Sequence, residues 1–197
     1  MDNENIEEME FGDRRHPESL KKELLNNLLE SFKILLMTLV LAFIVKTFLV
    51  EPFLIPSESM ENTLMVGDRI IVEKIGHYLG EEYKRGEIVV FQTSPEAEVL
   101  LIKRIIAIGG DTVELRDGEV YINGEKSEEP YTREQNTTPL NKQVDFPMTI
   151  PDGEVLLLGD NRGNSADGRI FGTISEDLII GKALFRYWPL DSFGPVE

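Results

Sequence analysis

The 197-residue chain has no cysteine and only two histidines, His16 and His77. The first absence removes disulfides, thiolate nucleophiles and cysteine-ligated metals together, and leaves the fold independent of redox compartment. The second leaves a serine–histidine triad or a zinc site with almost nothing to be built from. Bases are scarce too: 36 acidic residues face 20 basic ones, a formal net charge of −16. So acidic a chain repels phosphate backbones, which argues against nucleic acid as a partner. No internal repeat is visible, and the length suits one domain, or one domain with a modest subdomain.

Charge is also missing, locally, from "ILLMTLVLAFIV", residues 34–45. From Lys33 to Pro52 the segment would reach about 30 Å as a helix, the thickness of a hydrocarbon core. A membrane span, a cleaved signal peptide and a buried core helix all compete for it. An acidic N-terminal region and the lack of a small-x-small site in "KTFLVEPF" oppose the signal peptide. Apolar residues on every face oppose a core helix in a chain this small. The reading is therefore a span over 33–51, an amphipathic segment over 1–32 with Leu20, Leu24, Leu25, Leu28, Leu29 and Phe32 at helical spacing, and a domain over 52–197. Arg14, Arg15, Lys21, Lys22 and Lys33 precede the span, and only Lys46 follows it before Arg69. That asymmetry predicts a cytoplasmic N-terminus and an extracytoplasmic domain.

What lies beyond the span reads as mainly β. "DRIIVEKI", "GEIVVFQT", "EVLLIKRIIAIGG", "TVELRDGEVYING", "GEVLLLGD" and "KALFRYWPL" are β-branched and aliphatic runs bounded by Gly, Asp or Pro. Asp117-Gly118 and Asn123-Gly124 are strong hairpin signals. The expectation is an antiparallel, barrel-like sheet assembly, with a small β subdomain inserted at about 112–150.

Three stretches carry possible chemistry. "PSESMENTL" sets Ser57 and Ser59 two residues apart, in itself an ordinary serine-rich turn. "VLLIKRIIAI" puts Lys103 and Arg104 on opposite faces of an otherwise apolar strand. On an edge strand both charges reach solvent. In a buried strand, a lysine loses proton affinity by up to about 3 to 5 units and becomes a competent general base. It would then activate a serine where histidine is missing. "GDNRGNSADGR", residues 159–169, reads as an ordered loop of Asx turns, or as a calcium loop that Arg162 spoils, or as a polar platform beneath an active site.

Taken in order behind the apolar segment, "PSESMENTL", "GDRIIVEKI", "KRIIAIGGD" and "GDNRGNSADGR" resemble the bacterial type I signal peptidases. These are membrane-anchored serine proteases that remove signal peptides from exported preproteins after small residues. The resemblance implies Ser59 as nucleophile, Lys103 as general base and Ser57 as side-chain oxyanion donor beside the Ser59 backbone N–H. Ser165 would orient the lysine, Asp167 and Arg169 would form a structural ion pair, and Ile55 and Ile102 would line pockets for small side chains. Neither a cofactor nor a metal is implied. The partners implied are signal peptides, membrane lipid and a neighbouring secretion machinery. Three positions depart from the family's usual residues: Asn62 and Gly109 stand where proline is common, and Gly168 where serine is common. The competing reading is a catalytically silent, membrane-tethered β domain that binds a cell-surface partner. A self-cleaving repressor also uses a Ser-Lys pair, but a helix-turn-helix domain is missing here.

Overall fold

The computed structural model describes residues 17–134, 136–140 and 143–196, so His16, Arg14 and Arg15 lie outside the described residues. The chain divides into two units, 1–44 and 45–197. Among the described residues the first contains one helix, α1 (Pro17–Ile44). Its stretch Leu20–Ile44 is long and apolar enough to cross a membrane, and none of it is buried in the protein. Leucines, valines and phenylalanines are exposed all round it, a surface unsuited to water. The hydroxyl of Thr38 donates back to the Ile34 carbonyl at 2.9 Å, which satisfies a polar group within the apolar run.

The second unit begins with a π-helical turn, Val45–Leu49. Its strands are β1 (Val50–Leu54), β2 (Arg69–Glu73), β3 (Ile88–Phe91), β4 (Leu101–Ile108), β5 (Thr112–Arg116), β6 (Glu119–Ile122), β7 (Glu125–Lys126), β8 (Met148–Thr149), β9 (Glu154–Leu158), β10 (Ile174–Ser175), β11 (Ile179–Trp188) and β12 (Gly194–Pro195). Two short helices, α2 (Ile75–Leu79) and α3 (Gly168–Phe171), interrupt them. Val50 and Glu51, counted with the apolar segment in the sequence, lie in β1.

All strand pairs are antiparallel. The main sheet runs β1-β2-β11-β3-β4-β9-β10, with β12 added to β11, and a second sheet runs β7-β6-β5-β8. Irregularities interrupt the register of β11 against β2 and β3, and of β4 against β9. Such bulges add local twist, and the long sheet curls into a half-barrel. In the second sheet Asp117-Gly118 and Asn123-Gly124 both take left-handed φ, at 54° and 80° and at 54° and 85°. These are the residues a two-residue hairpin turn requires.

Strand β4 is the junction of the fold. It is paired on both sides, with β3 and with β9. Ile102 enters one buried apolar cluster with Ile55, Met60, Leu64 and Val90. Ile105 enters a second with Phe91 and Leu157, and Ile106 and Ala107 a third with Val113 and Leu158. A strand packed into three clusters has no free face through which a central cation could reach water. Lys103 and Arg104 are accordingly only 2% and 3% exposed.

Candidate active site

Met60 and Leu64, both fully buried, pin the turn that follows β1. Ahead of it, the Ile55 amide donates to the Asp68 carbonyl and the Gly67 amide to the Ile55 carbonyl, each at 2.9 Å. Between these anchors Ser57 is extended, and Glu58–Met60 forms one 3-10 turn carrying Ser59. Ser57 occupies the N-cap position but makes no capping hydrogen bond, so its hydroxyl has no structural task there. It lies 3.4 Å from Ser59 Oγ and is exposed, whereas Ser59 is buried.

Across from this turn, Lys103 Nζ donates to Ser59 Oγ at 2.7 Å and to the Ile102 carbonyl at 2.8 Å. Among the described residues it forms no salt bridge. Burial lowers the amine from its ordinary 10.5 to about 8, against the opposing pull of the Asp167 and Asp160 carboxylates. Those two carboxylates are already engaged. Asp160 takes a two-point contact from Arg104, at 3.0 and 2.8 Å. Asp167 takes one from Arg169, at 2.9 Å to each oxygen, and its Oδ2 also accepts from the Gly159 amide at 3.0 Å. A neutral lysine in hydrogen-bond contact with a serine hydroxyl can take its proton, and the adjacent hydroxyl and backbone N–H groups can receive negative charge.

The loop 159–169 meets the serine turn from below. The Asn161 amide donates to the Ser59 carbonyl at 3.1 Å, and the Asn161 side chain to the Glu58 carbonyl at 3.0 Å. Gly159 passes so close that a Cβ on it would overlap the Ser59 carbonyl oxygen and the Ser165 hydroxyl. Ser165 Oγ is buried without a hydrogen-bond partner, so the lysine is oriented here by Ser59 and the Ile102 carbonyl. Ile55 and Ile102, 1% and 3% exposed, belong to one cluster, with half-buried Phe53 and Leu100 packed against it. No group of three or more metal-ligating side chains occurs among the described residues.

Each departure at Asn62, Gly109 and Gly168 has a local cause. Glu61 (φ −60°, ψ 144°) and Asn62 (φ 86°) form a type II turn closed by the Thr63 amide on the Met60 carbonyl, and a proline cannot take that φ. A Cβ on Gly109 would sit 3.0 Å from Asp152 Cα, so the backbone of the neighbouring turn leaves little room. On Gly168 it would lie 2.6 Å from Leu156 Cδ1 and 3.0 Å from the Leu157 carbonyl oxygen, so a side chain there requires the Leu156 methyl to move aside. Sequence reasoning singled out neither Glu129 nor Arg162 as a site residue. Arg162 is fully buried and its guanidinium pairs with Glu129 at 2.8 Å. An arginine amid turn residues was the signal, yet its partner lies 33 positions away.

The chain matches the family described as "Signal peptidase, peptidase S26" over residues 28–188. It is 40% identical to "Signal peptidase I" of Leptolyngbya laminosa over 174 residues, which span 85% of this chain and 83% of the relative. It is 37% identical to "Signal peptidase IB" of Staphylococcus aureus over 190 residues, 88% of this chain and 94% of the relative. A solved signal peptidase I of Enterococcus faecalis is 32% identical with a TM-score of 0.44, covering 51% of this chain and 96% of its own. The match over residues 28–188 takes in the serine turn, β4 and the loop 159–169; the chain belongs to the peptidase S26 signal peptidase family.

Proposed function

We propose that the protein is a membrane-anchored endopeptidase that removes signal peptides from exported preproteins, with Ser59 as nucleophile and Lys103 as general base. The observation that carries this reading is the buried 2.7 Å contact from Lys103 Nζ to Ser59 Oγ on an amine lowered to about 8. Once deprotonated, Lys103 accepts the hydroxyl proton as Ser59 Oγ bonds to the scissile carbonyl carbon. The resulting oxyanion receives hydrogen bonds from the Ser57 hydroxyl and the Ser59 backbone N–H. Collapse expels the amine of the mature protein, which takes the proton from Lys103 and leaves the signal peptide esterified to Ser59. Water, deprotonated by Lys103, then attacks the ester carbon; the C–O bond to Ser59 breaks, Ser59 Oγ takes the proton back from Lys103, and the signal peptide leaves as a carboxylate.

The Asp167–Arg169 pair braces the loop against which this chemistry runs, and Ser165 orients Lys103 when substrate is bound. Ile55 and Ile102 form a close-packed wall beneath the serine turn, which favours small substrate side chains and excludes bulky ones by clash. Helix α1 serves as the anchor, with the N-terminus cytoplasmic and residues 52–197 outside, beside the secretion machinery that delivers the substrate. Ser59 follows Val50 by nine residues, at most about 30 Å of extended chain, so the nucleophile stays close to where a signal peptide leaves the bilayer. The deciding experiment uses a serine-directed acylating probe on detergent-purified protein, followed by intact-mass measurement. One adduct on the wild type and none on Ser59→Ala is expected. Equal labelling of both would remove Ser59 from the mechanism.

A further inference from the structure

We infer that Glu129, in the segment between β7 and β8, is a positioning residue for the reaction, acting on Ser59 through Arg162; the inference rests on the proposed role of Ser59. The carboxylate of Glu129 accepts one N–H from each terminal nitrogen of Arg162, at 2.8 Å each. Arg162 is completely buried, and its Nε donates to the Gly159 carbonyl at 2.9 Å. Gly159 in turn packs on the Ser59 carbonyl and the Ser165 side chain. Asn161, one residue before Arg162, holds the Glu58 and Ser59 carbonyls. A continuous set of contacts therefore runs from a carboxylate of the inserted β region to the backbone that carries the nucleophile.

The surrounding contacts stiffen this route. Tyr131 donates its hydroxyl to Glu129 at 3.0 Å, and its ring lies 3.9 Å from the Arg104 guanidinium carbon. Thr137, itself buried, contacts Arg162, and the Arg133 amide donates to the Asp160 carbonyl at 3.0 Å. An arginine fork on a carboxylate fixes orientation as well as charge, because both N–H groups must line up with both oxygens. Replacing one oxygen by an amide breaks that fork and leaves a buried guanidinium partly unmatched. The turn 159–162 then loses its brace on the side away from Ser59. A displacement there shifts the serine against Lys103, and a misplacement of about 1 Å costs on the order of 100-fold in rate.

The test compares Glu129→Gln and Glu129→Asp in the full-length, detergent-purified protein on a preprotein, all assayed with wild type at one temperature about 15 °C below the lowest of their unfolding midpoints. Ser59→Ala is assayed in parallel. Glu129→Gln is expected to lower kcat by about 10- to 100-fold with KM within about threefold, because ground-state contacts with substrate are untouched. Glu129→Asp, which keeps the charge on a shorter arm, is expected to recover part of that loss. A kcat within twofold of wild type in Glu129→Gln overturns the inference, whatever happens to its melting temperature, and so does a loss confined to KM. If Glu129→Gln does not fold, Glu129→Asp decides: less than a twofold loss of kcat overturns the inference, and a larger loss at unchanged KM supports it. An inactive Ser59→Ala beside a fully active Glu129→Gln rejects the positioning role alone. An active Ser59→Ala rejects the reading of the site itself.

Discussion

Lys103 and Arg104 are adjacent in one strand, both cationic in water and both buried, yet the two faces of β4 treat them in opposite ways. On one face Arg104 meets the Asp160 carboxylate twice, the Gly86 carbonyl and the ring of Tyr131. On the other, Lys103 receives a hydroxyl and a carbonyl, and its amine falls to about 8. Burial alone is therefore not what makes a base. A cation buried beside its counter-charge stays charged and braces the structure, while an amine buried without an ion pair releases its proton at a lower pH and becomes available as a base. The residue types suit these fates, since guanidinium keeps its charge at any working pH and ammonium does not.

The comparison is tested most severely by making its two sides alike. Lys103→Arg keeps charge and approximate length but removes the titratable base. Preprotein cleavage should fall by about 10⁴-fold or more, the scale seen when a catalytic pair loses a member. An active Lys103→Arg enzyme would sink the dyad. Lys103→Met should be equally inactive but more stable. The gap between 10.5 and about 8 corresponds to about 3 kcal/mol, the cost of holding the amine charged in the fold. The folded value lies below the unfolded one, so that cost is present in full below pH 8. It fades as the pH rises towards 10.5, and the stability gain of Lys103→Met should shrink over the same interval. Chemical unfolding at pH 7 and pH 10 reads the difference.

Arg104→Met should do the reverse. It strands Asp160 as a buried carboxylate without its guanidinium, for a loss of about 3–5 kcal/mol of stability. Thermal unfolding checks this, and a melting temperature equal to wild type would mean that Asp160 has another counter-charge. In the unmutated enzyme, kcat/KM should climb about tenfold per pH unit below the lysine's apparent pKa and level off near pH 8. A profile still rising as steeply at pH 10 would put the base outside this pocket.

Much of this contrast was legible in the sequence. Ten residues with a lysine and an arginine amid aliphatics left a buried strand and an edge strand both open, and the order of four motifs led to the family and, through the resemblance, to Ser59, Lys103, Asp167 and Arg169 as candidates. The hairpins at Asp117-Gly118 and Asn123-Gly124 were equally clear, because the turn chemistry is local. What could not be read is pairing across distance. Nothing in the periodicity of β4 says that Arg104 will find Asp160, 56 positions on, or that the polar segment after β7 returns to clasp Arg162. The left-handed φ of Asn62 was likewise not legible, although its departure from the family's usual proline was, since φ at that position depends on how Met60 and Leu64 seat in the core.

Ser165 gives the finest test, because its place in the structure looks unfavourable. Its hydroxyl is buried and makes no hydrogen bond, an arrangement that costs about 1–3 kcal/mol. Gly159, by lacking a Cβ, leaves the space that the hydroxyl occupies, so two positions cooperate to keep an unsatisfied group beneath the nucleophile. A purely structural serine here should be improved by removing the oxygen. Ser165→Ala would then raise the melting temperature and leave turnover alone. If the hydroxyl instead serves the lysine while substrate is bound, Ser165→Ala should lower kcat by about tenfold, the lower end of what one positioned hydrogen bond is worth in a site shielded from water. The melting temperature should stay level or rise. Measured together, the two readouts separate the cases: a fall in kcat at undiminished stability keeps Ser165 among the groups that act on Lys103. Unchanged turnover with a gain in stability would leave the lysine oriented by Ser59 and the Ile102 carbonyl alone.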